Sequence, residues 1–166
     1  HHKLDAERLA ADLSVRWGKV MRVRSAAVDR PMYLQRPDLG RRLDEPSRTS
    51  LKAVSGGPFD VAVIVADGLS AFAIDKNIVP FLDAFLPHVD QEKWSRSPLI
   101  VAEQARVAIG DEIGEGADIV AVVNWNAGIF DRAIGGDGDH GRIIARKRGM
   151  IEREIADFDL VVAVAL

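Results

Sequence analysis

The residues best suited by type and spacing to do chemistry are Asp67, Gly68 and Ser70, in the segment DGLS that follows the apolar run FDVAVIVA. An acid, a glycine and a hydroxyl at the end of a buried strand can hydrogen-bond a ligand, let the backbone approach it closely and cap the next helix. In open parallel sheets, ligands bind beyond the carboxyl ends of the strands, where helix N-termini present backbone donors. The same residues would also serve as a plain helix cap with no ligand.

Two other segments concentrate reactive groups. YLQRPDLGRRL, Tyr33 to Leu43, places an aromatic ring beside Arg36, Arg41 and Arg42. Planar guanidinium forks bind carboxylate or phosphate, so this is a candidate anion site or charged partner surface. The competing reading is a solvated basic face whose arginines pair with Asp38, Asp44 and Glu45. Further along, DRAIGGDGDHG gathers Asp131, Asp137 and Asp139, three hard ligands suited to magnesium beside phosphate oxygens. Gly136, Gly138 and Gly141 there satisfy G-x-G-x-x-G, but no strand ends directly before them and two aspartates would repel a pyrophosphate. That loop reads as an acidic surface and not a dinucleotide site.

Other candidates are bland. His88 sits near a helix end, where its natural partner is the helix dipole. Trp17 and Trp94 are isolated and read as packing residues. No cysteine is present, so disulfides, thiolate catalysis and cysteine-ligated metals are excluded. No serine, histidine and acid set is identifiable by spacing, because a triad is recognised by geometry.

The elements that must position these residues follow from hydrophobic periodicity. Leu4 to Leu13 has the spacing of an amphipathic helix, and residues 19–28 include an alternating strand. Asp38 is placed to cap a helix from Leu39, and Pro46 to restart it. Phe59 to Ala66 is a strand covered on both faces, Leu69 to Leu86 a helix that Pro80 should bend or divide, and Pro98 to Ala102 a second buried strand. Ile109 to Glu115 is a short helix or turn and Asp118 to Val123 a third buried strand. Ile143 to Ile155 has helical spacing, and Asp159 to Leu166 reads as a last strand.

Strand, helix and strand thus repeat, which calls for right-handed crossovers and a layered α/β fold with a mostly parallel sheet flanked by helices. At 166 residues, residues 4–166 read as one domain: 4–58 as N-terminal helices and a short strand, 59–123 as βαβ core, and 124–166 as loop, helix and strand. A formal net charge of -3 gives no positive field for nucleic acid, and no apolar run reaches the length of a membrane span. These properties predict a soluble, cytoplasmic protein.

The blocks YLQRPDLGRRL, VAVIVADGLSA from Val61 to Ala71, and RVAIGDEIGE from Arg106 to Glu115 resemble, in order and spacing, three blocks of the ethanolamine ammonia-lyase small subunit. The resemblance runs from about Leu4 to Val123. It implies a Rossmann-like small subunit that encloses adenosylcobalamin together with a large barrel-shaped subunit, and a setting in the cytoplasm or a bacterial microcompartment. The large subunit would bind ethanolamine and host the radical chemistry that yields acetaldehyde and ammonia. No catalytic residue is then expected in this chain. By position, Val107 matches a family cobalamin contact, and Asp67, Gly68 and Ser70 lie at the same sheet edge.

After Val123 the pattern departs. The family's GERPGL-like loop and cysteine-containing segment are replaced by NWNAGIF, with Asn126 at about the place of a family glutamate. The DRAIGGDGDHG loop instead resembles, over a dozen residues and with one extra glycine, the magnesium-binding element of the dihydroxyacetone kinase nucleotide-binding subunit, which implies a magnesium-nucleotide site at Asp131, Asp137 and Asp139 as a lesser alternative. A non-catalytic binding module with the same α/β core is the alternative that these departures leave open.

Overall fold

A run of valine, isoleucine and alanine with polar residues only at its ends has both faces apolar, and it becomes the central strand of the sheet. In the computed structural model, which describes residues 4–54, 57–68, 70–115, 117–124 and 142–147, this run is β2. The strands are β1 (Val20–Arg24), β2 (Phe59–Ala66), β3 (Leu99–Glu103), β4 (Ala117–Asn124) and β5 (Arg142–Lys147). Their order across the sheet is β1-β3-β2-β4-β5. The first four are parallel and β5 pairs antiparallel to β4. The expected α/β fold with a mostly parallel sheet is therefore present.

Among the described residues, five α-helices accompany the strands: α1 (Ala6–Trp17), α2 (Arg30–Gln35), α3 (Glu45–Lys52), α4 (Ala71–Gln91) and α5 (Ile109–Ile113). The alternation of side chains along β2 decides which helix lies where. Val61, Val63 and Val65 pack with Leu9, Leu13 and Trp17 of α1 and with Ile74, Ile78 and Leu82 of α4. Ile64 and Ala66 point the other way, into a second cluster with Ile109 and Ile113 of α5, Val120 and Val122 of β4, and Leu43. Helices thus cover both faces. The second layer is unusually close, since a Cβ on Gly110 would lie 2.4 Å from Val122 Cγ2, and one on Gly114 2.3 Å from Val120 Cγ2.

Several sequence expectations are corrected. α1 continues past Leu13 because Trp17, one turn on, extends the buried stripe. The helix expected from Leu39 is only a 3-10 turn, Leu39–Arg41. Asp38 makes no capping bond there because Arg36 occupies its carboxylate, at 3.0 and 2.8 Å. Helix formation moves upstream instead, where Asp29 accepts from the Met32 amide and Pro31 occupies the first turn of α2. Pro80 does not divide α4, since it and Pro87 fall on the exposed side, where water can serve the carbonyls left without a donor.

The largest correction concerns the segment from Ile143. Residues 142–147 form a strand rather than the start of a helix, and Arg142 pairs with Asn124 through to Lys147 with Ile119. Short apolar windows are ambiguous in period, and the free edge of β4 supplies backbone partners that no local pattern reveals. The final strand expected over Asp159 to Leu166, and the Asp131, Asp137 and Asp139 loop, lie outside the described residues. No helix among the described residues is long and apolar enough to cross a membrane.

Candidate functional site at the carboxyl edge of β2 and β3

β2 leads into α4 on one face of the sheet, while its neighbour β3 leads into α5 on the other. The two loops therefore part at the carboxyl ends of adjacent strands, the kind of crevice that binds ligands in open α/β sheets. Asp67, Gly68 and Ser70 lie there. Gly68 adopts φ 48, a left-handed turn that costs glycine little, and the Ser70 side chain accepts from the Ala73 amide at 3.3 Å to cap the 21-residue α4. The capping role expected of Ser70 is present.

Asp67 is more enclosed than its sequence position suggests. It is 7% exposed, and its Oδ1 accepts from the Ala105 amide at 3.1 Å, across the crevice from β2 to the loop after β3. Its own amide donates to the Ala102 carbonyl. Burial pushes the carboxyl above its ordinary value, against the opposing backbone amides of Gln104 and Ala105 and the Arg30 charge. As placed, Asp67 ties two strand ends together.

The loop after β3 is fixed from several sides. Gln104 takes φ 51, unusual for a residue with a side chain, and its carbonyl accepts from Ser25 Oγ at 2.6 Å beyond β1. The Arg106 amide donates to the Gly40 carbonyl at 2.8 Å. Val107 follows, half-buried against the α5 layer, with its carbonyl accepting from Gly110. Asp67 and Gly68 follow the carboxyl end of β2, and Val107 lies in the loop that follows its paired neighbour β3.

Sequence reasoning missed the group that joins these loops. Tyr33, 2% exposed, has the guanidinium carbons of Arg30 and Arg106 each 4.7 Å from its ring centroid. Arg30 also donates to the Gly68 carbonyl at 2.6 Å, and Arg106 to the Tyr33 carbonyl at 3.1 Å. Gly40 lets the layers touch, because a Cβ there would sit 3.1 Å from Arg106 Cγ and 3.2 Å from the ring. Burial pushes the phenol of Tyr33 up, with Arg106 and Arg30 pulling it down and Asp67 adding to the rise. The available signal was the lone tyrosine of the chain set among arginines.

Of the arginines first weighed as an anion site, Arg41 and Arg42 are exposed at the end of the 3-10 turn. Arg36 is spent on Asp38 at the surface, as the surface-pair reading expected. Arg48, from α3, pairs with Glu45 and with Glu112 of α5, whose carboxylate also accepts from the Leu43 amide. Among the described residues, no group of three or more histidines and acids is placed to hold a metal.

Donor chemistry at the crevice suits a large ligand bearing amides and apolar surface. Two buried polar atoms, Gln104 Oε1 and Arg106 Nε, have no hydrogen-bond partner among the described residues. An acceptor and a donor two residues apart complement carboxamide groups of the sort a corrinoid carries. Phe72, in the first turn of α4 beside the Ser70 cap, adds apolar surface at 58% exposure. The residues present therefore fit such a group.

Comparison with known proteins agrees with these three blocks. A family model described as ethanolamine ammonia-lyase light chain (EutC) matches residues 1–125. Among curated proteins, the ethanolamine ammonia-lyase small subunit of Pseudomonas syringae pv. tomato is 44% identical over 128 residues, covering 74% of this chain and 45% of the relative. The small subunit of a Pseudomonas fluorescens strain is also 44% identical over 128 residues, covering 74% and 46%. That of a Pseudomonas aeruginosa strain is 46% identical over 118 residues, covering 69% and 43%. The chain thus spans less than half the length of these relatives.

Proposed function

This chain belongs to the ethanolamine ammonia-lyase light-chain family, and from that premise we propose that it acts as the small subunit of the enzyme, holding adenosylcobalamin against a large catalytic subunit. The reaction served is conversion of ethanolamine to acetaldehyde and ammonia, in the cytoplasm or within a bacterial microcompartment. The observation that carries the reading is the convergence of all three family blocks on the crevice between β2 and β3: Tyr33 and Gly40 from the first, Asp67 and Gly68 from the second, Arg106 and Val107 from the third.

The chemistry adenosylcobalamin supplies when bound is radical generation at its cobalt–carbon bond. This chain's residues bind and orient. Val107 offers an apolar wall, Gly68 a stretch of backbone without a side chain, and Ser70 fixes the start of α4 so that its N-terminus faces the same edge. Asp67 holds the two loops in register and needs no proton transfer of its own. The substrate and the reacting carbon belong to the large subunit.

The test is co-expression with a family large subunit, followed by co-purification and an acetaldehyde assay dependent on adenosylcobalamin. Association and cofactor-dependent turnover are expected. Absence of both association and activity would refute the assignment for this chain.

A second reading is a binding module that kept the α/β core without cobalamin function. It is motivated by the replacement of the family's two downstream cobalamin segments after Val123. Association with the large subunit but no spectral change with adenosylcobalamin would select it.

A further inference from the structure

We propose that Tyr33 is a positioning residue, the shared platform that holds the Gly68 turn and the Val107 loop in one fixed relation. The inference rests on the cobalamin reading only for what the crevice holds; the brace itself stands on geometry. Tyr33 comes from α2, outside the sheet, and neither strand pairing nor the core clusters link it to β2 or β3. It is buried nonetheless, with the guanidinium carbons of Arg30 and Arg106 each 4.7 Å from its ring centroid.

Each arginine has a second commitment to one side of the crevice. Arg30 grips the Gly68 carbonyl, the residue whose left-handed φ sets the turn. Arg106 is the chain neighbour of Val107, and its amide and side chain are bonded to Gly40 and to the Tyr33 carbonyl. A planar ring fixes both cations through its electron-rich face and sets their separation, which an aliphatic residue of similar size cannot do. Gly40 is needed in the same assembly because a side chain there would press on both Arg106 and the ring. The residues of the brace touch the loops that would contact a ligand, and act through them.

Hydrogen exchange on the full chain tests the brace without a ligand. Tyr33→Leu is expected to speed exchange at the Asp67, Ala105 and Arg106 amides by about tenfold, the scale of losing cation–π contacts at a half-buried site. Tyr33→Phe keeps the ring and is expected to match the unsubstituted chain, with the mid-sheet Val63 amide unchanged in both. Unchanged exchange at the crevice, a rise at one side only, or a uniform rise across the sheet overturns the brace. Should Tyr33→Leu fail to fold, Arg30→Met and Arg106→Met take its place, each expected to loosen both sides; an effect confined to its own side overturns the shared platform.

In the complex with the large subunit, Tyr33→Leu is expected to weaken cobalamin binding by about tenfold relative to Tyr33→Phe, with kcat at saturating cofactor retained. Equal Kd values in the two variants overturn the positioning role. If the unsubstituted complex takes up no cobalamin, the cobalamin reading fails, and the exchange data still decide the brace.

Discussion

The Asp67 carboxylate accepts the Ala105 amide at 3.1 Å, and this one bond spans the gap between the carboxyl ends of β2 and β3 where the chain departs to opposite faces of the sheet. Backbone bonding between the two strands ends with the Asp67 amide on the Ala102 carbonyl, and beyond it the Asp67 side chain holds the two loops together. A buried carboxylate does so at a cost in desolvation.

That cost gives a pH dependence. Burial raises the pKa of Asp67 in the folded chain above its unfolded value. The contribution of Asp67 to stability is therefore fully present below the unfolded pKa and is lost as pH rises through the folded one. Asp67→Asn keeps an acceptor for the Ala105 amide without the charge. Urea unfolding between about pH 4 and pH 7 is expected to show stability of the substituted chain relative to the parent rising with pH. A difference that is flat or falls with pH would refute the account.

Gly110 and Gly114 are fixed by contact. A Cβ would lie 2.4 Å from Val122 Cγ2 at the first, and 2.3 Å from Val120 Cγ2 and 2.9 Å from the Gly110 carbonyl oxygen at the second. Either alanine substitution must push α5 away from β4, at an expected cost of about 1–3 kcal/mol in denaturant unfolding. Gly40→Ala, with its nearest neighbour at 3.1 Å on a side chain able to give, is expected to cost less than either.

Ser70→Ala removes the side chain that caps α4. The expected loss is about 1 kcal/mol, recovered by Ser70→Asp, which accepts the same amide and adds a favourable charge at the helix N-terminus. Chemical denaturation of the three proteins checks the order.

Arg36 and Asp38 form a surface pair at 2.8 Å, with side chains 60% and 53% exposed. Exposed pairs contribute little once ordering and screening are counted. Arg36→Ala is expected to leave the thermal midpoint unchanged, and to leave adenosylcobalamin binding by the complex unchanged as well. A loss of cofactor affinity would return this arginine to the ligand site.

The sequence made the middle of the sheet legible because burial on both faces leaves a local mark. FDVAVIVA reads as β2 with its observed limits, and the DGLS turn with its Ser70 cap follows directly. It was less informative where several residues compete for one role. Asp29 and Asp38 are both good caps, and which one starts a helix depended on Arg36 occupying the second. The strand at Arg142–Lys147 was hidden for another reason, since an edge is completed by whatever segment reaches it.

By itself, then, the sequence determined the family, the α/β class and the position of the DGLS turn, because these rest on residue order and on periodicities repeated every few residues. Tertiary structure alone decided that Asp67 is spent on Ala105, and that the guanidinium groups of Arg30 and Arg106 both lie against the Tyr33 ring. The reason is distance along the chain: Tyr33 and Arg106 are joined by a hydrogen bond across 73 positions, and no local pattern encodes a contact created by the order in which strands pair.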